Sequence, residues 1–169
     1  REEADCETET KKTVEKNSTG KECSISASVQ SKAQLEAAVN SGVRCVYLDE
    51  EIEFERENGV QYFLAMPYIF RERAMNIYKV YFEKISQYYE GVLVRNWEAL
   101  EWMKSKGYKG EILSDYNLYG WNNRAIKELS ELGIDQYTSS VELNFRELSE
   151  LSTGGNLIVY GYQPVMITA

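Results

Sequence analysis

An α/β fold, in which a mostly parallel sheet curls into an incomplete or compressed TIM-barrel-like (β/α) domain, is what this sequence predicts, and three observations lead to it. Short apolar runs alternate with stretches of helical periodicity along nearly the whole chain. Glycine stands at three helix-to-strand junctions, Gly42, Gly107 and Gly133, where a left-handed helix terminus favours it. The pattern gives about seven strands and five helices in about 145 residues, whereas a complete eightfold barrel takes roughly 250. A barrel built from this chain is therefore expected to lack parts.

The elements follow in order. Residues 1–22 are rich in Glu, Lys and Thr and, apart from Val14, hold no large aliphatic side chain, so a tail or linker is expected there and the barrel-like domain over 23–169. Cys23–Val29 reads as a first strand, with Ile25, Ala27 and Val29 alternating with serines. Ser31-Lys32-Ala33-Gln34 has the form of a capping box, and Leu35, Ala38 and Val39 line the short helix that ends at Gly42. Val43–Leu48 is the next strand, with Asp49 at its end. An acidic loop without helical signal runs to Gly59 and stands in for a lost helix. Gln61–Met66 follows as a strand that Pro67 stops by withholding a backbone donor.

Beyond Arg71 and Arg73, a long helix carries Met75, Tyr78, Phe82, Ile85 and Tyr89 as one core-facing stripe. Gly91–Val94 is a buried strand that ends at Arg95 and Asn96. Trp97, Leu100 and Met103 mark the helix after it. Glu111–Leu113 then leads into Ser114, Asp115 and Asn117, and a helix with Ala125, Ile126, Leu129 and Leu132 follows, its N-cap being Asn122 or Asn123. Ile134–Tyr137 is a strand ending in Thr138, Ser139 and Ser140, with Glu142 just beyond. A short helix with Phe145, Leu148 and Leu151, a turn at Gly154 and Gly155, and a last strand at Leu157–Tyr160 complete the prediction.

Composition removes several kinds of chemistry. None of the 169 residues is histidine, which excludes every histidine-dependent triad, HExxH zinc sites and histidine acid–base catalysis from the chain's own side chains. The formal charge is -8, and Asp49–Glu57 accounts for most of it with six acids against one arginine. That segment reads as a solvated loop, or as a place for a divalent cation or a basic partner. Lysine and arginine are not clustered as a phosphate backbone requires, so nucleic-acid binding by this acidic chain alone is not expected. Cys6, Cys23 and Cys45 form no CxxC pair, and this usage fits a reducing, cytoplasmic setting. No run of eighteen apolar residues and no signal-peptide pattern is present, so neither a membrane span nor a membrane partner is expected.

In a parallel sheet, sites are built at the carboxyl ends of the strands. Asp49, Arg71, Arg95, Asn96, Asp115, Asn117, Ser140 and Glu142 all fall there, and would gather round one mouth. Asp115 and Glu142 form a candidate catalytic pair, acting as general acid and base or as oxygen ligands for a cation. The structural reading of the same residues makes Asp115 a turn cap and Glu142 a partner of Arg71 or Arg95. Asp49, Arg71, Arg95, Asn96, Asn117, Ser140 and Tyr162 are candidate substrate contacts. The arginines suit an anionic group and Tyr162 a stacking surface, alongside Tyr160 and Trp121. Ser139 and Ser140 lack both a GxSxG context and a histidine, which argues against a serine nucleophile.

Six ordered pieces resemble the collagenase-like peptidase family, whose catalytic type is unknown. They are Gln34–Ala38 with Gly42–Leu48, Pro67–Arg71, Gly91–Asn96, Asp115–Leu118 with Asn122, Ser140–Leu143, and Val159–Met166 with its VYGYQPVM sequence. The resemblance covers roughly residues 24–169. It implies proteolysis of collagen-like or other protein substrates, or alternatively a non-catalytic binding or scaffold domain in a protein that hydroxylates RNA bases or a quinone precursor with an iron-sulfur cluster. Family members that bind such a cluster use cysteines just after the stretch corresponding to Val159–Met166. No cofactor is therefore expected in this fragment itself, and a cluster, a protein or peptide substrate or RNA would be engaged through a longer chain.

Overall fold

The computed structural model describes residues 24–49, 52–151, 155–162, 164, 166 and 167. The expected tail with Cys6, the strand start at Cys23, Glu50 and Glu51 of the acidic loop, and Gly154 lie outside these residues. The elements in chain order are β1 (Ser26–Val29), α1 (Lys32–Asn40), β2 (Cys45–Asp49), β3 (Gln61–Ala65), α2 (Glu72–Tyr88), β4 (Gly91–Val94), α3 (Trp97–Ser105), β5 (Glu111–Ser114), α4 (Asn123–Glu131), β6 (Gln136–Tyr137) and α5 (Phe145–Glu150). A single 3₁₀ turn, Tyr116–Leu118, lies between β5 and α4.

The six strands pair in sequence order and every pair is parallel, which makes a curled half-barrel. Side chains alternate between the two faces of the sheet. On the helix-bearing face, Leu64, Met66, Val92, Val94 and Ile112 pack against Tyr78, Ile85, Ala99, Leu100, Trp102 and Met103. A second cluster on that face joins Val46, Leu48 and Tyr62 to Leu35 and Val39 of α1. The helix-free face holds Tyr47, Phe63, Ala65, Leu93 and Leu113, all buried in the concave interior. Burial of each large side chain stabilises by about 1.5–3 kcal/mol, so these three clusters hold the curl.

Local signals account for the helix starts. Asn96 Oδ1 accepts from the Ala99 N–H at 2.8 Å, and Asn122 Oδ1 from Ala125 at 2.9 Å, which settles the N-cap of α4 on Asn122. The box expected at Ser31 is half made. Ser31 Oγ accepts from Gln34 N–H, but the Gln34 side chain accepts from the N–H of Gln30. A complete reciprocal box forms instead between Asn144 and Glu147 at the start of α5. At Gly91 a Cβ would lie 2.5 Å from the Glu111 carbonyl oxygen and 2.9 Å from the Phe63 ring, so β3, β4 and β5 close up only around a residue without a side chain.

Between β2 and β3 the described residues 52–60 form no helix, as expected. Ile52 and Val60 are buried there, Phe54 stacks on Tyr62 with centroids 4.6 Å apart, and Arg56 pairs with Glu90. The expected seventh strand at Leu157–Tyr160 is not made. Only Asn156 bridges to Thr138 in parallel, and Val159 and Tyr160 are 89% and 93% exposed. A strand needs a neighbour to take its backbone groups and a layer to cover its side chains, and neither is present among the described residues beyond Asn156.

Candidate functional site

The register brings three of the predicted residues together at the mouth of the half-barrel. Val94 pairs with Ser114, so Arg95 and Asp115, one residue further on, stand side by side and face inward in line with Leu93 and Leu113. Arg95 Nε donates to Asp115 Oδ2 at 3.1 Å. Asp49 lies two strands away, beside Ala65 in the row below. Ala65 is small enough for the guanidinium to pass over it. Arg95 Nη1 therefore reaches Asp49 Oδ1 at 3.2 Å and the Met66 carbonyl at 3.4 Å.

A loop tyrosine closes this lock. The Tyr68 ring covers Arg95 with its centroid 4.2 Å from the guanidinium carbon, a distance at which cation–π attraction is strong. Asn96 holds that loop in place, its Nδ2 donating to the carbonyls of Pro67 at 2.9 Å and Tyr68 at 3.1 Å while its Oδ1 caps α3. The Tyr68 and Tyr116 phenols lie near enough to influence each other's ionisation. Asp115 uses its second oxygen, Oδ1, to accept from the N–H of Tyr116 at 2.8 Å and so starts the 3₁₀ turn.

Burial and charge set the electrostatics. Arg95 is 7% exposed, and burial alone would pull its pKa down. Tyr68, Asp115 and Asp49 outweigh that and hold it above the ordinary value. Burial pushes the Tyr68 phenol up, and it pushes Tyr116 up to about 12, with Tyr68 and Asp115 adding to the effect. One cation faces two carboxylates, so the mouth carries a net negative charge. Nη2 of Arg95 and Oδ1 of Asn117 have no hydrogen-bond partner among the described residues, and the side chain of Asp49 is 31% exposed. The mouth thus carries one guanidinium, two carboxylates and two phenols.

The remaining predicted residues are placed differently. Asn96 is occupied in positioning Tyr68 and capping α3. Ser140 is buried and its Oγ accepts from Glu142 N–H at 3.3 Å, a tight turn that leaves Glu142 exposed. No ion pair or hydrogen bond among the described residues joins the Glu142 carboxylate to Asp115, Arg71 or Arg95. Arg71 is exposed at the start of α2, and Tyr162 is fully exposed. Sequence reasoning missed Tyr68 and Tyr116. Their signal was available, since each adjoins a residue singled out there, Pro67 and Asp115. It also missed Tyr119, whose φ of 57° is the one positive value at a non-glycine among the described residues. That backbone turns the Tyr119 ring outward against Trp121, centroids 5.7 Å apart.

Among the described residues no group of three or more His, Cys, Asp or Glu could hold a metal ion. An iron-sulfur cluster takes several thiolates. Cys45, the single described cysteine, is free and sits in β2, where burial pushes its thiol pKa up, so the described residues do not fit such a cluster. No helix among them is long and apolar enough to cross a membrane. No family model, curated protein or solved structure matches the chain.

Proposed function

We propose that this chain is a binding domain, related to the collagenase-like peptidases it resembles, that holds a polar peptide segment at the mouth formed by Asp49, Arg95 and Asp115. The observation that carries this reading is the engagement of Asp115. One of its oxygens is tied to Arg95 and the other to the Tyr116 backbone, so it is a fixed acceptor and not an unengaged base. Fixed acceptors, the guanidinium of Arg95 and the phenols of Tyr68 and Tyr116 suit recognition of amide and hydroxyl groups. The net negative charge of the mouth favours a peptide over RNA. A reducing, cytoplasmic location agrees with the free thiol of Cys45.

Peptide hydrolysis is the second reading, and one feature favours it: two acids held on either side of a single guanidinium at the carboxyl rim. Titration of the full chain with a peptide mixture from digested gelatin, followed by calorimetry and by mass spectrometry of the peptides, tests both. Saturable binding with no new fragments, weakened roughly tenfold by Asp49→Asn, is the expected result. New fragments that no longer form with Asp115→Asn, at unchanged melting temperature, would move the assignment to hydrolysis. Absence of binding would overturn the first reading.

A further inference from the structure

On the outer face, the helix-free crossover between β2 and β3 leaves a groove of about 460 Å³. Ile52 and Phe54 form one wall, and Ile77, Tyr81, Lys84 and Tyr88 of α2 form the other. Helix α2 carries two apolar stripes. One, with Tyr78 and Ile85, is buried in the core; the other, with Ile77, Tyr81 and Tyr88, repeats at helical spacing and is 41%, 50% and 53% exposed. An exposed aromatic stripe beside an apolar wall marks an interaction surface.

We propose that this groove receives an amphipathic helix of a partner protein, one bearing basic residues along one edge and acidic residues along the other. Shape argues for a helix, since helices cover the neighbouring stretches of sheet and none lies here among the described residues. Charge argues for the edges. The wall on the crossover side belongs to the acidic segment Asp49–Glu57, whose Glu53, Glu55 and Glu57 are exposed. The far side of the α2 stripe carries Lys84 and, four residues before Ile77, Arg73. A partner helix with lysines toward the first and glutamates toward the second meets opposite charge on both sides. A second copy of this chain packed with its α2 antiparallel does not, because the two acidic segments then fall on the same side.

The test uses the full chain and a labelled synthetic helix of about 18 residues, roughly five turns. It has a leucine stripe, lysines on one edge and glutamates on the other. Saturable binding seen by fluorescence anisotropy, weakened roughly tenfold by Ile77→Glu with Tyr81→Glu and also by replacing the lysine edge with glutamates, is expected. Tyr88→Ser serves if the double variant melts early. Equal binding of a scrambled peptide, binding unaffected by the groove variants, or self-association of the chain that the same variants abolish would each overturn the proposal.

Discussion

The crossover from β4 to β5 and the crossover from β2 to β3 make the same topological return by different means. The first uses α3, which buries Ala99, Leu100, Trp102 and Met103 against the sheet. Trp102 gathers the rings of Phe70, Tyr78 and Phe82 edge-on around it. The second uses a loop that buries Ile52 and Val60 and is held to the end of α2 by an arginine. Arg56 donates to the Tyr88 carbonyl at 2.7 Å and pairs with Glu90. The comparison teaches that a helix both covers its strand pair and satisfies its own backbone. A loop can do the joining but leaves part of the outer face open, and that opening is the α2 groove.

Four measurements sharpen or break this contrast. The largest effect is expected from Leu100→Ala, which empties a fully buried position under α3 and should cost about 3 kcal/mol in urea unfolding. Ile52→Ala in the loop crossover should cost less, about 2 kcal/mol, because the loop can settle into the space. Equal or reversed costs would mean that the loop side is packed as firmly as the helix side. Next is Arg56→Ala. The pair with Glu90 has side chains 38% and 29% exposed, so a loss of only about 0.5–1 kcal/mol is expected, shrinking further in high salt.

The smallest effect concerns pH. Tyr108, next to α3, has a buried hydroxyl with no partner among the described residues, and burial, with Glu111 and Glu90 adding, pushes it up to about 12. A raised folded-state pKa favours the neutral phenol. Its contribution is fully present below the ordinary value of about 10 and is lost as pH rises through about 12. Denaturation midpoints should therefore fall over that alkaline window, and Tyr108→Phe should flatten part of the fall. An identical fall in the variant would place its origin elsewhere.

Much of the half-barrel was legible because each strand announces itself twice. Gly91–Val94 and Tyr62–Met66 are apolar runs, the first followed by Arg95 and the second by Pro67, where the chain leaves the sheet. Parallel winding then put Asp49, Arg95 and Asp115 on one rim, as expected. What was not legible depends on reach and not on position along a strand. Whether Arg95 meets Asp49 turns on the size of Ala65 in between. Whether Tyr68 covers Arg95 turns on Asn96 holding its loop. Glu142 reads like a rim residue, yet the turn set by Ser140 carries it into solvent. The apolar run at Leu157–Tyr160 shows the remaining limit: an apolar pattern predicts a strand only where a neighbouring strand is available to receive it.

One hydrogen bond has a bearing on how the chain reaches this state. Asn156 Nδ2 donates to the hydroxyl of Tyr47 at 3.3 Å across the interior, joining residues 109 positions apart. A contact of such long range carries a large loop-closure entropy and forms slowly. On a ribosome Tyr47 and its neighbouring strands emerge well before Asn156, so the interior lacks this brace until Asn156 has been made.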